Sequence, residues 1–246
     1  MSEDVFHKAA TALKRAPLVI AVTGAGASVE SDIPDFRSAG GLWKKFPPAE
    51  YATAEAFTDN PDKVWEMFYE IGEMILKAEP NPGHRALAQL EQYGKLQGIV
   101  TQNIDGLHQQ AGNTVVIEYH GNVNTLGCSS CFRRRKMDLS FRAHGAPRCE
   151  CGGYMKPSVI LFGEPIPPQP LIQADTLART CNAMIVVGTS AQVYPAAALP
   201  HAAKENGAFI IECNTEPTDF TRSITDAFLE GPAGEVLPKL VELVMS

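Results

Sequence analysis

The sequence predicts an α/β protein built on a doubly wound parallel sheet, with a small helical and cysteine-bearing module inserted into it. Short, continuously apolar runs alternate with segments of helical spacing, which is the pattern of strands that helices cover on both faces. A glycine-rich turn follows the first run, at the edge where such sheets bind ligands. Two insertions interrupt the alternation, and one of them holds four of the six cysteines.

The predicted elements follow one another in the order that such a sheet requires. Residues 3–14 have helical spacing, and Pro17 ends that helix because proline lacks a backbone donor. The first apolar run, residues 18–23, has the length of a buried strand. Further strands are predicted at 98–101, 115–118, 159–162, 184–187 and 209–212. Helices are predicted over 83–93, 168–180, 195–206 and the C-terminal end.

The composition excludes several classes of protein. The chain is 45% hydrophobic and 20% charged, as in an ordinary globular enzyme, and its net charge of −7 argues against a general nucleic-acid binder. The N-terminus is acidic before it becomes apolar, unlike a secretory signal, and the apolar runs are too short to cross a bilayer. We therefore expect a cytoplasmic protein that binds neither membranes nor nucleic acid directly.

The clustered cysteines form two local pairs, Cys128-x-x-Cys131 and Cys149-x-Cys151. Four soft thiolates paired in this way are the ligand set of a tetrahedral zinc ion. The second spacing is less common than Cys-x-x-Cys, and redox-active or unbound thiols are the alternatives. Four protein ligands leave no open coordination position, so the predicted zinc is structural and not catalytic.

The glycine-rich turn contains Gly24, Ala25, Gly26 and Ser28, directly after the first predicted strand. Glycines there allow the backbone to approach a ligand, and main-chain N–H groups can hold a phosphate. An ordinary strand-to-helix turn explains the same residues equally well. The dehydrogenase fingerprint would need a third glycine where the chain has Val29, which disfavours that class of enzyme.

More specific motifs follow this turn along nearly the whole chain. Together they resemble the sirtuin family of NAD⁺-dependent protein-lysine deacylases. The family's usual glycine before Ile-Pro is Asp32 here, and its carboxylate either caps a turn or alters the mobility of the loop. The motifs are, in order, Ile33-Pro-Asp-Phe-Arg37, Gly41-Leu-Trp43, Thr101-Gln-Asn-Ile-Asp105, Tyr119-His-Gly121, Val159-Ile-Leu-Phe-Gly-Glu164, Gly188-Thr-Ser190 and Val193-Tyr-Pro-Ala196.

The resemblance implies a Rossmann-like fold, NAD⁺ as co-substrate and a catalytic set of His120, Asn103 and Asp105. An imidazole titrates near neutrality and suits a general base, although a lone histidine is more often a packed or surface residue. Phe36 is expected to shield the reactive ribose from water. The implied cofactor-binding residues are Gly24, Ala25, Gly26, Ser28, Asp35, Phe36, Arg37, Trp43, Gln102, Asn103, Ile104, Asp105, Gly188, Thr189, Ser190, Asn214, Thr215, Glu216 and Ala233.

The resemblance also divides the chain. It implies an NAD-binding domain of residues 1–37, 85–121 and 158–246, a cofactor loop and helical insertion at 38–84, and a zinc-binding module at 122–157. The predicted 159–162 strand is expected to pair with the substrate peptide by strand addition. The implied substrate-binding residues are Val159, Ile160, Leu161, Phe162, Gly163 and Val193.

The implied reaction removes an acetyl or other neutral acyl group from protein lysines and gives nicotinamide, O-acyl-ADP-ribose and free lysine. Family members that remove acidic acyl groups carry a Tyr-x-x-Arg pair, whereas here Tyr69 is followed at that spacing by Gly72. The closest alternative is mono-ADP-ribosyltransfer on the same fold. A noncatalytic zinc-ribbon module is disfavoured because it has no need for the polar set that includes His120.

Overall fold

The computed structural model describes residues 3–138 and 145–246. The predicted domain limits include residues 1–2 and 139–144, which lie outside the described residues. The main sheet has six parallel strands in the order β3-β2-β1-β7-β8-β9, which confirms the predicted doubly wound sheet. Its strands are β1 (Val19–Thr23), β2 (Leu96–Thr101), β3 (Val116–Glu118), β7 (Ala183–Val187), β8 (Phe209–Asn214) and β9 (Ala227–Glu230).

The strand order reverses between β1 and β7, so the loops that leave these two strands diverge and open a cleft. Alternate residues of β1 point to opposite faces of the sheet. Val19 and Ala21 pack in one hydrophobic core with the first and last helices, and Ile20 and Val22 pack in another. Every residue of β1 is buried, as expected of a strand that is covered on both sides.

Helices cover both faces of the sheet. The helices α1 (Glu3–Arg15), α5 (Pro82–Gln92) and α10 (Ala233–Met245) lie on one face, and α7 (Pro168–Thr180) and α8 (Ala198–Glu205) lie on the other. The amphipathic spacing of α1 explains its position, because Phe6, Ala9, Ala10 and Leu13 are its buried residues. Two short helices, α6 (Leu107–Ala111) and α9 (Asp219–Ser223), follow strands at the cleft.

The two insertions form a smaller module with its own core. It contains the antiparallel strands β4 (Thr125–Cys128), β5 (Arg134–Lys136) and β6 (Met155–Pro157), in the order β5-β4-β6. The helices are α2 (Pro48–Tyr51), α3 (Ala54–Asp59) and α4 (Pro61–Lys77). Trp65 of α4 is fully buried and donates from Nε1 to the Met155 carbonyl at 2.9 Å, which fastens the helix to β6.

Two features differ from the sequence prediction. Residues 159–162 were predicted as a strand, but this segment is extended outside both sheets. It crosses between the modules, where Ile160 N donates to the His120 carbonyl and Phe162 forms one isolated bridge with Thr53. Strand β9 escaped prediction because its four residues end on an exposed glutamate and give no continuous apolar run. No helix in the described part of the chain is long and apolar enough to span a membrane.

Candidate active site

A cleft of about 950 Å³ lies between the large sheet and the small module. The loops after β1, β2, β7 and β8 form its floor, and helix α4 forms part of the opposite wall. Its lining includes glycines, polar side chains, and aromatic and aliphatic side chains. The strand ends therefore converge on one elongated site, as the switch in strand order requires.

Two glycine turns form the floor where the loops after β1 and β7 touch. Gly26 N donates to the Gly188 carbonyl at 2.8 Å. A Cβ on Gly26 would lie 2.7 Å from Gly188 Cα, and one on Gly188 would lie 2.3 Å from Ala27 N. Because Gly188 also has a φ of +58°, a side chain at either position would push the loops apart or fill the cleft. The glycines thus leave room for a ligand against the backbone.

His120 lines this cleft and is oriented by the backbone. Its Nδ1 lies 3.3 Å from the Gln102 carbonyl. Because a carbonyl can only accept, Nδ1 carries the ring proton and Nε2 keeps a lone pair. Burial lowers the pKa of His120, against the opposing effect of the bond to Gln102. The ring is therefore neutral near pH 7 and available as a base.

Asn103 and Asp105 are fixed by a buried polar network under the glycine turn. Asn103 Nδ2 donates to the Gly24 carbonyl at 3.1 Å and to Ser28 Oγ at 3.0 Å. Ser28 Oγ in turn donates to Asp105 Oδ2 at 2.7 Å, and Leu107 N donates to Oδ1 at 2.9 Å. Burial raises the pKa of Asp105, against the hydrogen bonds that lower it. Asn103 lines the cleft, whereas Ser28 and Asp105 lie behind its wall.

A second buried polar layer lies behind this network. Thr23 Oγ1 donates to Thr101 Oγ1 at 2.8 Å and contacts His108 Nε2 at 2.9 Å. Thr23 donates its only hydroxyl hydrogen to Thr101, so His108 Nε2 has to donate to Thr23 Oγ1. His108 Nδ1 therefore carries no hydrogen. His84 Nδ1 accepts from Asn81 N at 3.3 Å, so His84 Nε2 carries its proton. The donor His84 Nε2 and the acceptor His108 Nδ1 are both buried without a hydrogen-bond partner. The centroids of the two rings are 4.8 Å apart.

The loop after the glycine turn is ordered by its own side chains. Asp35 Oδ1 accepts from the backbone N–H groups of Arg37 and Ser38, both at 2.7 Å. Trp43 N donates to the Phe36 carbonyl at 3.0 Å, and the two rings are 4.7 Å apart. The loop therefore presents Phe36 to the cleft on an aromatic support.

The wall contributed by α4 is apolar. Met67, Phe68 and Ile71 line the cleft opposite Val159 and Leu161, and all five belong to the core of the small module. None of these side chains can hold a charge. A group that enters beside α4 therefore meets an apolar wall.

The other end of the cleft is formed by the loop after β8 and the start of α10. Asn214 Nδ2 donates to the Thr189 carbonyl at 3.0 Å, which joins this loop to the one after β7. Glu30 Oε2 accepts from Gly234 N at 2.6 Å and joins α10 to the glycine turn. Thr215, Glu216 and Ala233 line the same end, at the rim of the floor.

The four clustered cysteines place all their Sγ atoms within 4.8 Å of one another. Cys128 and Cys151 are 3.5 Å apart at Sγ, and Cys131 and Cys149 are 3.7 Å apart. Thiolates around one zinc at about 2.3 Å are separated by about 3.8 Å, whereas a disulfide needs about 2.05 Å. Backbone N–H groups of Cys131 and Ser130 lower the pKa of Cys128 to about 6. The donor set therefore fits one tetrahedral zinc ion.

A model of the Sir2 family matches residues 24–195, more than half of the chain. The NAD-dependent protein deacylase of Pyrococcus furiosus is 47% identical to this chain over 236 residues, which cover 94% of each. This chain belongs to the Sir2 family.

Solved Sir2 structures agree with the fold throughout. A Sir2 homologue in complex with NAD aligns with a TM-score of 0.91 at 39% identity, over 100% of this chain and 94% of that one. A Sir2 variant with a deacetylated p53 peptide and 3′-O-acetyl-ADP-ribose aligns with a TM-score of 0.89 at 32% identity, over 98% of each chain. The sirtuin resemblance and the Rossmann-like fold that it implied are thereby confirmed.

The structure also explains the aspartate at a position where the Sir2 motif usually has glycine. Asp32 ends the short 3-10 helix Ala25–Ser31 with φ 61° and ψ 22°, which is the left-handed conformation. Glycine adopts this conformation freely, and aspartate is among the few other residues that tolerate it. Asp32 N donates to the Val29 carbonyl at 3.1 Å, so the backbone of Asp32 closes the turn.

The structure bears on two expectations about this Sir2 chain. Tyr69 and Gly72 do not line the cleft, because Tyr69 donates its hydroxyl to the Gly145 carbonyl at 2.8 Å. Phe68 and Ile71, one residue earlier on α4, occupy the wall instead. The sequence missed them, since helical spacing alone does not show which turn of α4 meets the cleft.

The contacts of residues 159–162 bear on the second expectation, strand addition of a substrate peptide. The N–H groups of Ile160, Leu161 and Phe162 already donate to His120 O, Glu164 Oε2 and Ala52 O. These three N–H groups are thus used within the chain, and strand addition along residues 159–162 stays a prediction. Besides Ser28 and Asp105, every residue predicted to bind cofactor or substrate lines the cleft.

Proposed function

We propose that this Sir2-family protein is an NAD⁺-dependent protein-lysine deacetylase, which gives nicotinamide, O-acetyl-ADP-ribose and free lysine. The observation on which this rests is His120, whose bond to Gln102 leaves the Nε2 lone pair at the glycine-floored cleft. A related Sir2 structure holds a deacetylated peptide beside acetyl-ADP-ribose, which are the products of this reaction. That product pair favours acyl transfer over mono-ADP-ribosyltransfer.

In this proposal, NAD⁺ supplies the ribose that receives the acyl group. His120 removes a proton from a ribose hydroxyl at Nε2, which its lowered pKa keeps unprotonated near neutral pH. Asn103 orients the nicotinamide end, and Asp105 acts through Ser28 to hold Asn103 in place. Gln102 and Ile104 complete the nicotinamide pocket, and Phe36 shields the ribose from water.

The remaining cofactor contacts follow the floor of the cleft. Gly24, Ala25 and Gly26 lie against the diphosphate, together with Gly188, Thr189 and Ser190. Asp35, Arg37 and Trp43 order the loop over the reactive ribose. Asn214, Thr215, Glu216 and Ala233 contact the adenosine end.

The acyl group enters the apolar end of the cleft. Met67, Phe68 and Ile71 exclude a carboxylate there, because nothing on this wall would offset its loss of hydration. The wall therefore selects acetyl and other neutral acyl groups. The peptide backbone lies between Gly163 and Val193, and Val159–Phe162 contact its modified lysine.

Zinc is structural in this proposal and leaves the chemistry to the large domain. That domain comprises residues 1–37, 85–121 and 158–246, with the cofactor loop and helices at 38–84 and the zinc-binding module at 122–157.

We place the protein in the cytoplasm, with acetylated proteins as partners and without direct contact to membranes or nucleic acid. The net charge of −7 supports the absence of nucleic-acid binding.

The test is to incubate the protein with an acetyl-lysine peptide and NAD⁺ and to quantify nicotinamide and O-acetyl-ADP-ribose. We expect both products in equal amounts, and a loss of at least about 100-fold in His120→Ala, which lacks the base. The exposed His7→Ala is the matched control and should keep full activity. Nicotinamide release without acetyl-ADP-ribose, or release unaffected by His120→Ala, would contradict the proposal.

A further inference from the structure

A buried carboxylate lies under the adenosine end of the cleft. Glu212 is in β8, and only 1% of its surface is exposed. Alternation along the strand places it on the same face as Ile210, whose core contains Phe220 of the short helix α9. A buried charge is costly unless hydrogen bonds satisfy it, so this position has to be explained.

Three threonine hydroxyls from one loop surround this carboxylate. Thr218 Oγ1 donates to Oε1 at 2.5 Å, and Thr221 and Thr225 donate to Oε2 at 2.6 and 2.7 Å. A hydroxyl has one proton, so each threonine spends its only donor on Glu212. Charge-assisted bonds of this kind are short and strong.

Two of the same hydroxyls also cap α9. Thr218 Oγ1 accepts from Phe220 N at 3.1 Å, and Thr221 Oγ1 accepts from Thr218 N at 2.8 Å. Because both hydroxyls donate their hydrogen to Glu212, the lone pairs of the two hydroxyl oxygens point towards these backbone N–H groups. Helix α9 has only five residues and is too short to be stable alone. Glu212 therefore fixes the conformation of the loop that contains it.

That loop forms part of the cleft. Thr215, Glu216, Asp219 and Arg222 line the end that the proposed function assigns to adenosine. Glu212 itself does not line the cleft. We propose that Glu212 is a positioning residue, which holds this loop in the shape that binds the adenosine end of NAD⁺ without touching the cofactor. This inference rests on the proposed function, because it takes NAD⁺ as the ligand of the cleft.

Thr225 gives the cleanest test, because its hydroxyl donates to Glu212 but does not cap α9, and the residue does not line the cleft. The variants are Thr225→Val, which removes the hydroxyl at nearly constant shape, and Thr225→Ser, which restores it. Thr221→Val is a second variant that removes a bond and a cap together. Thr180→Val is the matched control, since Thr180 is exposed on α7 and its hydroxyl bonds only within that helix.

The measurements are the Kd for ADP-ribose by calorimetry, and KM for NAD⁺ and kcat in the deacetylation assay. We expect Thr225→Val and Thr221→Val to raise both Kd and KM about fivefold, the effect of weakening one bond to a buried charge. The value of kcat at saturating NAD⁺ should not change, because His120 and the acyl wall lie at the other end of the cleft. Thr225→Ser should recover wild-type values.

The outcomes separate this inference from the function on which it rests. Wild-type protein that binds ADP-ribose, with variants that bind it equally well, would overturn the positioning role of Glu212. The positioning role would also be overturned if the variants had a lower melting temperature and a lower kcat but an unchanged KM. That result is the one expected if Glu212 only stabilised the fold. If the wild-type protein bound ADP-ribose but had no deacetylase activity, and Thr225→Val weakened that binding, the inference would be supported. Only the proposed function would then be overturned. Wild-type protein that does not bind ADP-ribose would overturn both.

Discussion

The two histidines behind the active-site wall are held neutral by the fold. Burial lowers the pKa of His84 from 6.5 to about 4 and that of His108 to about 3, and repulsion from His84 adds to the second shift. Their tautomers are fixed by Asn81 N and Thr23 Oγ1. Thr101 connects this layer to the active site, since its hydroxyl oxygen also accepts from Asn103 N at 3.1 Å.

These shifts predict how stability depends on pH. Both pKa values are lower in the folded state than in the unfolded chain, where a histidine has a pKa of about 6.5. Above that pH both histidines are neutral in either state and do not reduce the free energy of unfolding. As the pH falls from there towards 4, the unfolded chain binds protons that the folded chain rejects, and each histidine costs about 1.4 kcal/mol per pH unit. Urea unfolding between about pH 5 and 7 measures this slope.

His108→Gln should flatten that slope, because it removes one of the two groups that titrate on unfolding. His7→Gln, at an exposed histidine outside this buried layer, is the control. Equal slopes in His108→Gln and the wild type would show that protonation of His108 does not limit acid stability.

Asp32 yields a second prediction at the scale of a single residue. Its φ of 61° is strained for most side chains but free for glycine. We expect Asp32→Ala to lower the free energy of unfolding by about 1 kcal/mol, the cost of a left-handed backbone. Asp32→Gly should equal or exceed the wild type. Chemical denaturation of the three proteins decides this, and an alanine variant more stable than the glycine variant would disprove it.

At the scale of elements, α4 forms the apolar wall that the proposed function assigns to the acyl group. One side of the helix packs on the zinc-binding module through Trp65, and the adjoining side presents Phe68 and Ile71 to the cleft. The helix itself was predictable from its apolar spacing. Its rotation relative to the cleft was not, because tertiary contacts such as the Tyr69 bond to Gly145 set it.

An arginine on this wall should change the selectivity. Ile71→Arg places a guanidinium on the wall that the proposed function assigns to the acyl group, where it can pair with a succinyl carboxylate. We expect the ratio of kcat/KM for succinyl-lysine over acetyl-lysine to rise about tenfold or more, which corresponds to one charge-assisted bond. Leu76→Arg is the control, because Leu76 is 74% exposed on the same helix. A ratio that rises equally in both variants would remove the wall from the explanation.

The remaining elements show what local sequence can and cannot predict. Strands β1 and β7 were recognisable because both faces are buried, which leaves an uninterrupted apolar run. Residues 159–162 gave the same signal, but their apolar side chains line the cleft and the core of the small module instead of a sheet. The role of Glu212 was invisible, since it depends on three hydroxyls that only the folded loop brings together.

At the scale of the whole molecule, one core joins the zinc-binding module to the cleft. Cys128, Leu126 and Met155 from the module pack with Trp65 and Phe68 from α4. The loop that carries Phe36 and Trp43 packs against the same core. The motif order predicted each of these parts, but not that the structural metal and the acyl wall share a single packed unit. Loss of zinc should therefore disturb the cleft even though the metal takes no part in the chemistry.

The tryptophans make this coupling measurable, because both of them, Trp43 and Trp65, belong to this unit and none lies elsewhere. We expect a chelator to release one zinc per chain, shift the tryptophan emission to the red and abolish deacetylation, with recovery when zinc is restored. Cys149→Ser should reproduce the metal-free state, whereas Cys181→Ser, at an isolated buried cysteine, should retain its zinc. If all the zinc left while emission and activity stayed constant, the small module would not depend on its metal, and the shared core would be stable through α4 alone.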